Sequence, residues 1–479
     1  MTNSAVIVGG GHNGLTAACF LAREGWQVDV YERGPEVGGA AASGPALGDE
    51  TIVDFGAAAH PFGVASPAFR ELGLDIPWRR STYPMAHPLD DGEAAFLAHD
   101  LEATAEGLGR DGDGWRRVHG HIVRGIDDHL ENFLGPVLRL PPHPLRMAAF
   151  GFTALPPANT LSAALFRTPQ ARALVAGSAV HAITPPSAPL TSAFGLLFGA
   201  LGMTRGWPVV EGGTGVISAA LANTAAGLGV RIHTEEDITD LRALPSADAT
   251  ILNLTPGQIR ELGGLEVPGA TRRRLARWKP GIAVFKVDYL LDGPVPWRDS
   301  RVGEATTVHV GGTAEEIDVA ERESAAGKLP QRPFVMVCQQ SVADPSRGPV
   351  LWAYAHVPTG YVETRPGEVS GLIEAQIERF APGFRDRIVR RRESSPAQLE
   401  QWNPNLAGGD IAGGSMAGLR ALLRPGLTTH PYRLGPGLYL ASGSTPPGAG
   451  VHGMAGMWAV RAVLSDAGVQ TSGRSSDRN

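Results

Sequence analysis

Gly9, Gly11 and Gly14 stand at Gly-x-Gly-x-x-Gly spacing directly after the apolar run Ala5-Val-Ile-Val, and Glu32 ends the next apolar run 18 residues beyond Gly14. Each residue type does separate chemistry. The first glycine permits a tight turn, the second lets backbone approach a pyrophosphate, and the third lets the following helix close on the sheet. The N–H groups that open this helix carry partial positive charge and face the phosphates. A carboxylate about 20 residues further on can accept hydrogen bonds from both ribose hydroxyls. Together these residues predict a strand-helix-strand unit that binds a dinucleotide, with His12 and Asn13 in the phosphate turn.

Arg33 follows the acid, and Gly38-Gly39-Ala40 forms a second bare-backbone loop that a plain NAD domain has no reason to carry. Such a loop reaches the same pyrophosphate from its other side. This arrangement resembles the FAD-binding start of the amine oxidase and phytoene desaturase superfamily, so FAD is expected rather than NAD. Near the other end, Gly437-Leu-Tyr-Leu-Ala-Ser-Gly443-Ser444 leads through Gly448, Gly450, Val451 and His452 into a helix expected to run to Leu464. A helix start beside the flavin N1 and C2 carbonyl would stabilise the negative charge of the reduced ring. Many relatives carry Asp at the position of Ser444. In the resembling family, backbone near Ile238 lies along the adenine.

The elements that position these residues need room. At 479 residues with 43% apolar content, the chain exceeds what one core usually supports. The expected architecture is α/β: a discontinuous Rossmann-type FAD-binding domain at 1–80, 206–262 and 420–479, and an inserted α+β substrate or cap domain on a mixed sheet at 81–205 and 263–419. Residues 80 to 205 carry helical patterns broken by the proline pairs 141–142, 156–157 and 185–186. The alternating runs 282–289, 334–338 and 350–357 predict strands that place Lys286, Asp288, Tyr354 and His356 on one face. Gly213-Thr-Gly215, with Glu235 beyond it, imitates a second dinucleotide site, but Ser218 stands where its third glycine belongs.

Composition excludes several classes. A net charge of −6 leaves no electrostatic footprint for nucleic acid. Cys19 and Cys338, the only two cysteines, form no local dithiol, and no metal-ligating cluster is evident. The first strand starts about three residues from Met1, which leaves no room for a leader, and the cytoplasm is the expected compartment. The tail after Leu464, rich in Ser, Gly, Asp and Arg, is expected to be disordered. Met147–Phe166 and Ala182–Thr204 hold no charged residue but are interrupted by proline and too short to span a bilayer. They are read either as buried core or as a cap that lines a tunnel or dips into a bilayer face.

The opening glycine motif, the segments Lys286–Trp297 and Ala343–Arg347, the run Asn403–Gly414 and the closing Pro446–Gly456 together resemble the phytoene-desaturase-like flavoproteins over nearly the whole chain. Within them the match is to the group called pyridine nucleotide-disulfide oxidoreductase domain-containing protein 2. The resemblance implies hydride transfer to flavin N5 from a hydrophobic substrate of isoprenoid or polyene type, by dehydrogenation, saturation or isomerisation. His60, His452 and Lys286 are the candidates for proton handling. Amine oxidation and a non-catalytic escort that binds lipidated partners on the same fold stay open. The substrate, the electron acceptor and the oligomeric state are not set by the sequence.

Overall fold

The computed structural model describes residues 2–48 and 51–469. Two sheets organise the chain. The first has six strands in the order Arg433–Gly435, Leu438–Leu440, Ala249–Leu252, Ser4–Val8, Gln27–Tyr31 and Arg231–His233. All its neighbours are parallel except the outermost pair, Arg433–Gly435 with Leu438–Leu440. Parallel strands buried on both faces explain why Ala5–Val8 and Ala249–Leu252 read as continuous apolar runs. The helix His12–Arg23 lies on this sheet, and the last helix, Met454–Asp466, packs across it. Their contact is close because a Cβ on Gly456 would lie 2.1 Å from the Asn13 carbonyl oxygen.

The second sheet has seven strands in the order Ile388–Ser394, Ala283–Leu291, Val350–Val357, Val335–Cys338, Ala305–Val310, Tyr83–Pro88 and Ala94–Leu97. One pairing, Ala305–Val310 with Tyr83–Pro88, is parallel, so the sheet is mixed as expected. Lys286 lies opposite Tyr354, Asp288 opposite Trp352 and Val284 opposite His356, which puts the polar residues on one face. The other face buries Phe285, Val287, Ala353 and Val335 against Val369, Ile373 and Ile377 of the helix Glu368–Phe380.

The expectation of helix from residue 80 onward needs correction: Tyr83–Pro88 and Ala94–Leu97 are strands. Pro84 and Pro88 hide the alternation, and the pairing that selects strand comes from a partner more than two hundred residues away. Helices start at Leu101 and follow through Thr204, with Thr191–Thr204 buried along most of its length against Gly112–Arg124 and Pro169–Ala179. The last helix runs two residues past Leu464, to Asp466. The remainder of the tail, 470–479, lies outside the described residues.

Asp54 ties the two sheets together. Its Oδ1 accepts from the Thr214 N–H at 2.8 Å, and its Oδ2 faces the Gln340 amide at 3.3 Å and the Arg347 guanidinium at 3.2 Å. Gly215 N–H donates to Ser43 Oγ at 2.8 Å. The start of the helix Gly215–Gly227 is therefore filled by protein groups, which removes the second dinucleotide site that Gly213-Thr-Gly215 imitated. Both members of the Asp54–Arg347 pair are buried, and removing one partner leaves an uncompensated charge. Asp54→Ala is predicted to cost about 3–5 kcal/mol in urea unfolding; a loss below about 1 kcal/mol, the scale of a surface pair, would contradict this role.

Candidate active site

The cleft is built from main chain before side chains. Gly11 caps the first helix in an extended conformation with no side-chain cap, and the first turn holds no acidic residue. Its N–H groups are thus left for an external anion. Gly38 N–H donates to the Gly10 carbonyl at 2.9 Å, which brings the second glycine loop against the first. Gly39 adopts φ 58°, and a Cβ there would stand 3.2 Å from Gly11 Cα. On the opposite wall, Gly413 packs so closely that its Cβ would meet the Gly443 carbonyl carbon at 2.6 Å.

Glu32 ends its strand with both oxygens engaged. The Gly10 N–H donates to Oε2 at 2.7 Å and the Gly34 N–H to Oε1 at 2.9 Å. These bonds fix the carboxylate and leave a further lone pair on each oxygen for ribose hydroxyls. Gly9 and Gly14 shape the turn from behind: a Cβ on Gly14 would lie 2.1 Å from the Gly9 carbonyl oxygen. Asn253, at the end of the strand Ala249–Leu252, donates from Nδ2 to that same oxygen at 3.2 Å. Asn405 Nδ2 donates to the Asn253 carbonyl at 2.9 Å and links the run 403–414 to the turn.

A cavity of about 450 Å³ continues from this cleft. Gly11, His12, Asn13, Gly39 and Ala40 line it from one end of the chain, and Gly443, Ser444, Gly450, Val451 and His452 from the other; His60 and Lys286 also reach it. Gly9, Gly14, Glu32 and Gly38 belong to the cleft and not to the lining of the cavity. Arg33 points elsewhere, donating from Nη2 to the carbonyls of Gln401 and Trp402. Ile238 lies outside the cavity in an apolar cluster with Val6, Val8 and Leu252.

The residues on the wall fit a flavin dinucleotide. Both ring nitrogens of His12, Oδ1 of Asn13 and Oγ of Ser444 are buried with no partner, an arrangement that costs stability unless a bound group meets them. The uncapped helix start and the close glycine walls suit a pyrophosphate and its flanking sugar. When bound, FAD would be held by Gly11, Asn13, Glu32, Gly39 and the 443–452 loop.

The candidate proton carriers separate on inspection. His60 Nε2 lies 2.8 Å from Thr214 Oγ1, and that hydroxyl donates to the Ala57 carbonyl at 2.8 Å, so His60 is the donor to Thr214. His452 Nδ1 accepts from the Met454 N–H at 3.1 Å and so helps to cap the last helix. Burial holds His60 down at about 4 and His452 at about 3. Both are neutral near pH 7. Lys286 is buried rather than solvated: its Nζ pairs with Asp288 and lies 5.8 Å above the Trp352 ring. Burial lowers the Lys286 pKa against the pull of Asp288.

Sequence reasoning anticipated the far wall only at Tyr354 and in the segment 182–204. Phe62, Phe194, Phe198, Trp207, Trp352 and Tyr354 make it aromatic. His181 joins them, with Nε2 3.0 Å from His309 Nε2. Arg424 is buried there too, bonded to the carbonyls of Ala412 and Gly414 and to no carboxylate. Among the described residues no Asp or Glu lines the cavity. Phe62, Trp207 and Trp352 carried no such signal, because they come from distant segments. Cys19 and Cys338 are both free and buried, and burial pushes the Cys19 thiol up to about 12.

Residues 7–72 match the model of an NAD(P)-binding Rossmann-like domain. The chain is 25% identical to pyridine nucleotide-disulfide oxidoreductase domain-containing protein 2 of Rattus norvegicus, over 96% of this chain and 93% of that protein. It is 27% identical to hydroxyneurosporene desaturase of Rhodobacter capsulatus, over 96% of this chain and 97% of that one. Among solved structures, putrescine oxidase bound to putrescine superposes with a TM-score of 0.63 at 17% identity, covering 98% of this chain and 99% of that one, which shows a shared fold.

Two predictions follow the geometry of the cleft. Glu32→Ala and Gly11→Val, the latter placing Cβ 2.9 Å from Asn253 Nδ2, should each strip FAD while far-UV circular dichroism stays native. Stoichiometric flavin absorbance in both variants would contradict the cradle. The histidines set a pH dependence. His60 and His452 have folded pKa values of about 4 and about 3, below the ordinary 6.5, so the unfolded chain takes up protons first as pH falls. Stability is full above pH 6.5 and declines as pH drops toward 4, by about 1.4 kcal/mol per pH unit for each buried histidine. A urea midpoint that stays flat from pH 6.5 to about 4.5 would show that these rings do not resist protonation.

The chain shares its fold with a solved oxidase, and its near-full-length relatives carry oxidoreductase and desaturase names.

Proposed function

We propose that this protein oxidises a C–H bond of a hydrophobic, uncharged or anionic substrate, with a polyene or isoprenoid chain as the best-fitting class. The observation that carries this reading is the cavity itself: one end is the glycine-lined cleft, the other is walled by Phe62, Phe194, Phe198 and Trp207, and its buried guanidinium, Arg424, meets no carboxylate on the wall. Apolar walls gain from burying an oily chain, at about 25 cal/mol per Å² removed from water. A protonated amine would instead face like charge.

FAD, when bound, supplies the hydride acceptor at N5. The aromatic wall orients the chain and excludes water. Desaturation takes a hydride from one carbon and a proton from its neighbour as the C=C bond forms between them; the Lys286 amine, whose pKa burial lowers, accepts that proton, and Asp288 behind it stabilises the ammonium that results. His60 and His452 keep neutral hydrogen-bonding roles in this scheme, positioning the loops at 57–60 and 450–454.

Amine oxidation is disfavoured by the same wall. The escort reading is disfavoured by Glu32, which keeps its two backbone donors, and by the intact glycine cradle.

The test is anaerobic bleaching of the flavin by a panel comprising a neutral polyene, a long-chain acyl lipid, putrescine and NAD(P)H. Bleaching by the polyene or the lipid and not by putrescine is expected, and Lys286→Met should slow it by about 10²-fold with flavin content unchanged. Reduction by putrescine alone, or a colourless protein that takes up no added FAD, would overturn the reading.

A further inference from the structure

A polar pair stands at the aromatic end of the cavity, away from the glycine cleft. His181 Nε2 lies 3.0 Å from His309 Nε2, and the His181 ring is enclosed by Phe198 and Trp207, whose ring centroids are 5.0 and 4.9 Å away. His309 is wholly buried, and a Cβ on Gly177 would lie 2.6 Å from its Nδ1, so the ring is held from behind. His181 is held by its backbone. It lies on the short turn Val180–Ala182, and the next residue, Ile183, adopts φ 50° and ψ 47°. A β-branched side chain is rare in this left-handed conformation, and such strain persists only where the surroundings fix it. Both His181 and Ile183 line the cavity.

The two facing nitrogens share one proton while both rings are neutral. Burial holds His181 down at about 3 and His309 well below its ordinary 6.5, so the pair carries no charge near pH 7. One ring donates and the other accepts. The second nitrogen of His181, Nδ1, has no partner among the described residues, and the ring keeps accessible surface on the cavity. That nitrogen is an N–H if His309 donates and a lone pair if His181 donates. A hydroxyl meets either form, because it both donates and accepts. A carboxylate or an ammonium would find no countercharge in this pair.

The second sheet measures the distance to the reacting end. Lys286, Tyr354, Met336 and His309 stand in one row across four neighbouring strands. Three strand spacings of about 4.8 Å set the main chain of Lys286 and of His309 about 14 Å apart. We propose that His181 binds a neutral hydroxyl carried on the substrate chain, on the order of 14 Å from the carbon whose proton Lys286 accepts. This rests on the oxidation of an apolar chain read above, and it narrows the substrate class to a long-chain or isoprenoid alcohol. A site that hydrogen-bonds a substrate hydroxyl discriminates against the analogue lacking it, because its own polar group is then left unpaired.

Anaerobic calorimetric titration of the FAD-loaded full chain with farnesol, and with the hydrocarbon that lacks its hydroxyl, tests it. His181→Phe should lower the ratio of the two affinities, alcohol over hydrocarbon, about tenfold. Hydrocarbon binding and far-UV circular dichroism should stay as in the parent. His181→Leu reads the same ratio should the phenylalanine not fit, and His181→Gln, which keeps a donor and an acceptor, should lower it by less than about threefold. A ratio unchanged in His181→Phe would overturn the proposal. So would a ratio lost in Tyr354→Phe and kept in His181→Phe, which would move the contact to the Tyr354 hydroxyl. Neither result bears on whether a polyene bleaches the flavin, which judges the oxidation itself. Binding of neither compound would overturn both.

Discussion

The contact between two stretches of bare main chain, Gly9–Gly14 and Gly38–Gly39, is the constraint on which the rest of the structure depends. A Cβ at Gly11, Gly14 or Gly39 would enter space held by Asn253, by the Gly9 carbonyl or by Gly11 itself. With side chains absent, the Gly38 N–H reaches the Gly10 carbonyl and Glu32 bridges Gly10 and Gly34. The uncapped helix start at Gly11 then faces open space. Preorganised donors of this kind need little rearrangement when an anion arrives. The last helix completes the frame by crossing the first at Gly456, so residues more than four hundred positions apart share one wall.

That frame determines what the cavity can hold. The second sheet turns Lys286, Trp352 and Tyr354 toward it, and the helices 101–204 close it from above with aromatic side chains. Three polar groups on the wall are committed to protein partners: His60 to Thr214, His452 to the last helix, Lys286 to Asp288. An apolar cavity with a few placed polar groups orients a ligand by shape and exclusion of water more than by charge. The oxidoreductase chemistry of the relatives and the oily lining are consistent with each other on those terms.

Much of the nucleotide side was legible in the sequence because its signals are local. Glycine spacing, the acid after the second strand and the glycine-rich closing loop each report a backbone requirement within about 30 residues, the length of such a unit. The mixed sheet at 283–357 was legible for a similar reason, since alternation placed Lys286, Asp288, Tyr354 and His356 on one face before any pairing was known. The strands at 83–97 were not, because Pro84 and Pro88 break the pattern and the partner strand is Ala305–Val310. The Asp54 hub was hidden too: Asp54, Thr214, Gln340 and Arg347 carry no mutual spacing rule. The burial of Lys286 was hidden as well, although alternation set its partner Asp288 on the same face.

The account's central claim is that both ends of the chain hold one flavin dinucleotide at the mouth of an apolar cavity. Its most direct measurement is the flavin released on denaturation of protein reconstituted with FAD in the presence of excess NAD(P). One FAD per chain, undiminished by the nicotinamide competitor, is the predicted result. No retained flavin, or its stoichiometric replacement by NAD(P), would contradict it.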